Sequence, residues 1–473
     1  MLKALRPLLV ALLFAMLGVT ASAADTAEVS VGDNFFSPQK IRIRPGDEVV
    51  WKGVGIRRHN VKSDTGLFDS EDLFAGDEFS FTFDKKGTYV YHCTYHGKKG
   101  RVGMFGVVVV GDPAKDRRDR LSVPDDYRTI QGAVDAARSG TTIVVKPGRY
   151  REAVTVDTPN LVIRGVDRFR SVLDGRDALQ TGIRVTADRV SLRNLTIRNY
   201  SMNGILLDEV DNYTVERVDS IKNRTFGIHA TGSHDGVIRD SFVWGSGDAA
   251  VHVSSCFACG ALVDNIRAQM SFMGYWGVGT TGVIIRDSIF RRNGVGIVSA
   301  SAATPIPSGG TFIYANNVAD NNVTTVPPAG FSNEFGVPFG TGVWLAGARN
   351  DTVQSNVIES HDRYGILVSS GFDAAVDPVN NRVTANTLTS AGVDLAYDGT
   401  GVGNCWSGNA FATSGPSDIE SIYPCDGIFR SGTPYAPVET DVRTAISTPP
   451  RATEEPPEPE RPPCQKGRPG CRR

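Results

Sequence analysis

The stretch Tyr91 to Val110, YHCTYHGKKGRVGMFGVVVV, reads as a strand, a loop and a second strand, and it carries three metal-seeking side chains. Cys93 and His96 stand with two residues between them, and Met104 follows inside Gly103-Met104-Phe105-Gly106. A thiolate, an imidazole and a weak thioether form the ligand set that favours copper in a trigonal, electron-transferring site. Such a site needs a second imidazole from elsewhere, and His59, at the end of VVWKGVGIRRHN, is placed to supply it. His92 alternates with Tyr91 and Cys93 along the strand, so it is expected to face away from the metal, toward solvent.

Working outward, Phe35-Phe36-Ser37-Pro38, Pro45-Gly46-Asp47, Val49 to Trp51, His59-Asn60-Val61, Phe79 to Phe83 and Gly87-Thr88-Tyr89 precede the ligand loop in that order. With these pieces, residues 28–110 resemble a cupredoxin, a blue copper protein of the plastocyanin and pseudoazurin type. The resemblance implies a β-sandwich holding one type 1 copper per chain, with His59, Cys93 and His96 as equatorial ligands and Met104 as the axial one. In that family an asparagine usually follows the aromatic of the Trp51 strand by two residues and helps to hold the ligand loop. Here Trp51 is followed by Lys52-Gly53, which implies weaker support of the cysteine sulfur. The segment from His96 to Met104 is also longer than usual, through Lys98, Lys99 and Arg101.

The chain has 473 residues, too many for one ordinary domain, and its 40% hydrophobic content suffices for substantial cores. A net charge of −2 gives no sign of nucleic-acid binding. Charge is nevertheless concentrated locally: Arg57, Arg58, Lys98, Lys99 and Arg101 would ring the copper edge and suit a redox partner with an acidic docking face. Residues 1–23 read as a secretory signal peptide: Lys3 and Arg6, an apolar run from Leu8 to Val19, then Ala21-Ser22-Ala23. The run is too short to span a membrane and no other stretch is long enough, so a secreted or periplasmic mature chain is expected.

Seven cysteines suit an oxidising compartment. With Cys93 reserved for metal, neighbours in sequence favour Cys256 with Cys259, Cys405 with Cys425 and Cys464 with Cys471, although other connectivities are open. Cys256-Phe-Ala-Cys259 could instead be a redox pair or a second metal site.

After a charged linker at 112–120, Ile130, Ala133, Val134 and Ala137 recur at helical spacing, Gly140 stops the pattern, and Ile143 to Val145 reads as a buried strand. Small-plus-apolar pairs then recur at Gly182-Ile183, Gly204-Ile205, Gly227-Ile228, Ala250-Val251, Gly274-Tyr275, Gly296-Ile297, Gly342-Val343 and Gly365-Ile366. Their steps are 22, 23, 23, 24, 22, 46 and 23 residues, the 46 being read as two turns. A polar marker keeps phase with them, from RNLTI at Arg193 and RDSFV at Arg239 to SNVIE at Ser355 and ANTLT at Ala385. A period of about 23 residues with short strands suits a β-solenoid, in which each coil buries its apolar face on the next. The helix leading into this repeat resembles the start of pectin-lyase-like right-handed parallel β-helices, where it caps the open end of the coil.

The expected architecture is therefore all-β: a cupredoxin sandwich at 24–111, then a right-handed parallel β-helix at 121–432, then a Pro-rich, disordered tail at 433–473. Residues 300–340 are expected to leave the repeat as a loop, and the polar marker residues to stack into ladders that satisfy one another.

If the apolar member of each pair points inward, the next residue points outward, which stacks Arg184, Leu206, His229, His252, Trp276 and Val298 on one face. His229 and His252 then lie roughly 5 Å apart on adjacent coils. Asp208, Thr231 and Ser254 share that face, and Asp248 lies near it. Such a set could grip a sugar or an additional metal, or simply fill an outer sheet. No paired carboxylates of the kind a polysaccharide lyase or hydrolase needs are evident. The repeat also resembles the β-helix family that includes a periplasmic accessory protein of nitrous-oxide reductase maturation. Together these readings favour an exported electron carrier whose β-helix docks a partner or a polysaccharide. The rivals are a carbohydrate-active enzyme or binder with an accessory cupredoxin, and a copper storage or delivery protein.

Overall fold

The computed structural model describes residues 25–111, 119–301, 308–322, 337–371 and 376–425. The leader at 1–23, most of the 112–120 linker, the 433–473 tail and the Cys464/Cys471 pair lie outside them. The chain divides into two compact units at Lys115/Asp116.

The first unit is a β-sandwich of eight strands: β1 (Thr26–Gly32), β2 (Phe35–Ser37), β3 (Lys40–Ile43), β4 (Glu48–Gly53), β5 (Lys62–Ser63), β6 (Glu78–Thr82), β7 (Gly87–Lys98) and β8 (Val102–Val110). One sheet runs β2-β1-β4-β6 and the other β3-β8-β7-β5. Alternation of buried and half-buried residues along β4 turns Val49 and Trp51 inward, where Trp51 packs against Phe68, Phe79, Phe83 and Tyr91 at ring distances of 5.2–6.4 Å. Aromatic packing of this kind adds to area burial and fixes the floor beneath the candidate ligands.

The second unit is a right-handed parallel β-helix of three sheets, with 12, 10 and 11 strands. Its first end is closed by helix α1 (Ile130–Ala136), capped by Thr129 and burying Ile130, Ala133 and Val134, as the helical spacing implies. The inward row of the third sheet is Ile183, Ile205, Ile228, Val251, Tyr275, Ile297, Val343, Ile366 and Leu395, paired coil to coil in register and fully buried. The small residue before each of these must stay small. A Cβ on Gly204 would come within 2.6 Å of the Gly227 carbonyl oxygen, and one on Gly274 within 2.5 Å of that of Gly296.

The expectation for the long step is corrected. Val295, Ile297 and Val298 pair directly with Thr341, Val343 and Trp344, so the 46-residue step is one coil, not two. Residues 300–340 are likewise not simply a loop. Phe312–Tyr314 and Asn317–Ala319 are strands that continue the first and second sheets. The longer connections before and after these strands doubled the spacing that sequence periodicity measures.

The polar marker does form ladders. In one, Asn316, Asn356, Asn386 and Asn409 each pass an Nδ2–H to the Oδ1 of the next at 2.9–3.0 Å, while their backbone N–H groups donate to the same oxygens. The ladder ends on Glu420 of α2 (Ile419–Ile422), whose carboxylate takes the last Asn409 donors. Buried polar groups are thereby answered by their own repeat.

A neighbouring ladder runs through Thr311, Asp351, Asn381 and Asn404, with a carboxyl where the next two coils have amides. Burial lifts the Asp351 pKa to about 7. Because that value lies above the unfolded one, the native state binds the extra proton between about pH 4 and 7, and the stability from Asp351 falls as pH rises through this window. Asp351→Asn is expected to raise the thermal midpoint of the β-helix by a few degrees at pH 8, with the gain vanishing near pH 4; melting curves across that range check it.

Candidate metal centre

Strands β7 and β8 pair one to one from Gly87–Val110 as far as His92–Phe105, and resume at Gly97–Gly103 and Lys98–Val102. Between the two ladders, Cys93 to His96 face Met104 alone. A strand with surplus residues between two fixed ladders must bulge, and here the bulge throws Cys93 and His96 to the same side as Met104. The closure depends on glycine at Gly97, where a Cβ would meet the Met104 carbonyl oxygen at 2.5 Å, and on Gly103, at φ +68°. The long His96–Met104 segment is therefore the tip of a continued hairpin.

His59 reaches the same point from another segment, fixed by backbone bonds in both directions with Leu73. Its Nδ1 lies 3.8 Å from Cys93 Sγ, and His96 Nδ1 lies 3.5 Å from it. The three ligand atoms fall within 4.8 Å of one another, the only such cluster of three among the described residues. Cys93 is a free, fully buried thiol, and Met104 is buried beside it in the same core. A soft sulfur and two imidazole nitrogens converging in a shielded pocket fit a single copper ion. Burial, with the charges of His59 and Arg57 adding to it, holds the His96 pKa below its ordinary value, a shift toward the neutral ring whose lone pair a metal takes.

Three neighbours hold the ligands. Asp33 Oδ1 faces His59 Nε2 at 3.1 Å and accepts the Arg57 N–H at 3.0 Å. Asn60 and Thr94, each directly following a candidate ligand, are joined twice: Thr94 N–H donates to Asn60 Oδ1 at 2.8 Å and Asn60 Nδ2 to Thr94 Oγ1 at 2.9 Å. The support expected to be weak at Lys52-Gly53 is thus supplied by Asn60, one residue after His59, which the sequence reading quoted within His59-Asn60-Val61 without giving it that role. The third is Asp64, which pairs with His92 Nδ1 at 2.7 Å and accepts the Gly100 N–H at 2.9 Å, tying the hairpin tip down.

Two expectations are corrected here. His92 does face away from the cluster, but it is 5% exposed rather than solvated, because Asp64 draws it in. Arg101, at 8% exposure, does not belong to the basic rim. Arg57, Arg58, Lys98 and Lys99 are exposed, and the rim also carries apolar surface the sequence reading overlooked: Val54, Ile56, Phe74 and Tyr95. Arg58 lies over the Tyr95 ring at 4.2 Å and pairs with Asp72 at 3.5 Å.

On the β-helix, the outward stack forms as the register implies. Arg184, Leu206, His229, His252, Trp276 and Val298 pair in succession, with the His229 and His252 rings 4.6 Å apart and His252 stacked on Trp276 at 4.5 Å. Phe226, absent from the sequence reading, packs on the same group, with ring centres 4.4 Å from His252, 4.6 Å from His229 and 6.3 Å from Trp276. His252 Nδ1 donates to the Trp276 carbonyl and His229 Nε2 meets Ser254 Oγ, while burial pulls the His229 pKa down to about 4. Asp208 is taken by Arg184, and Asp248 stands apart with a carboxyl that burial lifts to about 7. Cys256–Cys259 and Cys405–Cys425 are disulfides, so the former is not a metal site.

Two family models match the chain: plastocyanin/azurin-family copper binding proteins over residues 23–111, and the periplasmic copper-binding protein NosD over residues 181–417. A chloroplastic plastocyanin from Silene latifolia subsp. alba is 32% identical over 107 residues, 19% of this chain and 65% of its own length, just under two thirds. A pseudoazurin from Methylorubrum extorquens is 33% identical over 110 residues, 21% of this chain and 69% of its own. Among solved structures, a purple cupredoxin from Nitrosopumilus maritimus aligns at 29% identity over 18% of this chain and 99% of its own, TM-score 0.16. The A-module of the mannuronan C-5 epimerase AlgE4 from Azotobacter vinelandii aligns at 18% identity over 62% and 92%, TM-score 0.46.

If Asn60 clamps the two ligand segments together, Asn60→Ala should weaken copper binding about 10–100-fold with the sandwich still folded, as read by chelator competition alongside circular dichroism.

Proposed function

Because the chain belongs to the NosD family of periplasmic copper-binding proteins and carries a plastocyanin/azurin-family copper-binding domain ahead of that region, we propose that it is an exported one-electron carrier with one type 1 copper held by His59, Cys93, His96 and Met104. The observation that carries this reading is the bulged β7–β8 hairpin, which brings a buried free thiol under two imidazole Nδ1 atoms. Copper bound there would supply one-electron chemistry between its +1 and +2 states.

The protein's part is to keep the donors where they are. His59 is locked from behind, Asn60 and Thr94 hold the two ligand segments at fixed separation, and the aromatic floor of Trp51 and Tyr91 excludes water. Little rearrangement of the ligands on electron transfer follows from that rigidity. His96 is half-buried and the other two equatorial donors are buried, so His96 is the edge through which a partner makes electronic contact. Arg57, Arg58, Lys98 and Lys99 around it would steer an acidic partner. On the β-helix, the partly exposed group of Phe226, His229 and Trp276 on the third sheet is read as a separate docking surface for a partner or a polysaccharide. Copper delivery is a second reading, favoured by the same half-exposed His96, through which an acceptor thiol or imidazole could reach the ion.

The copper-loaded mature protein should show an intense thiolate-to-copper band near ~600 nm, absent in Cys93→Ser; a colourless wild type with copper bound would overturn the type 1 assignment. Stopped-flow reduction by an acidic partner should slow as salt is added, less steeply in Lys98→Glu/Lys99→Glu, and Trp276→Ala should raise the partner concentration needed for half-saturation. Surrender of Cu(I) to an acceptor faster than electron exchange would instead favour delivery.

A further inference from the structure

A metal-binding imidazole gives one nitrogen to the metal and its other N–H to an acceptor, and the acceptor's charge sets how strongly the ring donates. For His59 the nitrogen turned toward Cys93 is Nδ1, which leaves Nε2 for the acceptor. That acceptor is a carboxylate. Asp33 Oδ1 lies 3.1 Å from Nε2, in the turn between β1 and β2.

The carboxylate is held there independently of His59. The same oxygen accepts the Arg57 N–H at 3.0 Å, Asn34 beside it adopts φ 69°, and the bare backbone of Gly55 packs so close that a Cβ would stand 2.5 Å from Oδ1. His59 itself is 1% exposed while the Asp33 side chain is 35% exposed. The hydrogen bond therefore joins a buried ring to a carboxylate that keeps part of its hydration, and hydration preserves the full negative charge.

The geometry points to Asp33 as the positioning residue that fixes the tautomer of His59 and, through its negative charge, lowers the reduction potential of the copper centre. The inference rests on the type 1 reading. Its sign follows from electrostatics. A carboxylate behind the ring makes Nδ1 a stronger donor, which favours the more highly charged Cu(II) over Cu(I). Reduction adds one electron and removes one unit of positive charge, so the negative group behind the ligand opposes it.

Asp33→Asn tests the charge alone, because the amide keeps an oxygen at the same place for both N–H donors. Voltammetry of the copper-loaded protein should show the Cu(I)-to-Cu(II) affinity ratio rising about tenfold, an upward shift of ~59 mV for one electron, with the ~600 nm band and the thermal midpoint unchanged. An unmoved potential, or a downward shift, overturns the inference. Should the variant fail to fold or to load copper, proton NMR of the reduced wild type decides. A His59 Nε2–H resonance that is strongly downfield and protected from exchange supports the bond, and a ring proton exchanging freely with water refutes it. A wild type lacking the ~600 nm band would sink the type 1 reading, whereas a normal band with no shift in Asp33→Asn would sink only the role of Asp33.

Discussion

Two stretches of regular ladder on either side of an irregular one govern the first unit. Hydrogen bonds from Gly87–Val110 to His92–Phe105 fix β7 and β8 below the site, and Gly97–Gly103 fixes them above it. Between these clamps the backbone has no freedom to spread Cys93 and His96 along the strand, so both crowd over Met104. The buried valines of β8, from Val107 to Val110, anchor the lower clamp, and the two glycines allow the upper one. Ligand geometry is thus a consequence of strand register. Asp33, Asn60 and Asp64 then each remove one remaining freedom: a ring orientation, the spacing of the two ligand segments, the swing of the hairpin tip.

The second unit solves a different problem with the same means. A parallel coil with an apolar inside leaves polar groups at its turns, and the stacked asparagines among them are satisfied by the equivalent group one coil along. The chain of Asn316, Asn356, Asn386 and Asn409 needs a terminus that only accepts, and Glu420 supplies it. At the opposite end, the carboxylate of Glu152 accepts the N–H groups of Ile130 and Gln131 at the start of α1. Both ends of the helix are therefore closed by a glutamate paired with a short helical segment, although only the first was evident from apolar periodicity.

The β-helix was legible because it rests on local periodicity, and the first unit because its motifs resemble, in order, those of a cupredoxin. Alternation, the spacing of ligand types and the recurrence of small-plus-apolar pairs all act within a few residues of their cause. The outward stack from Arg184 to Val298 was legible for the same reason, since a ladder in register carries a one-residue offset faithfully from coil to coil. What stayed hidden depended on residues far apart in the chain. Asp64 reaches His92 across 28 positions and Asp33 reaches His59 across 26, and an Asp in a turn looks the same in sequence whether or not it finds a histidine. Phe226 was missed because it lies outside the one-residue offset that defines the stack, yet its ring meets His252 of the next coil. The coil count failed where chain length and coil number parted company.

That last failure has a physical meaning. The closure entropy of a loop grows only with the logarithm of its length, so doubling the residues between two strands costs about 0.6 kcal/mol, less than one buried Val or Ile contributes. The coil between Ile297 and Val343 absorbs such a doubling and its strands still meet in register. Distance along the β-helix is therefore counted in coils, not residues, and the turns between strands form a neutral margin. New surface can be grafted there without disturbing the stacked interior, so the recognition properties of this protein can diverge while its core and its copper site stay as they are.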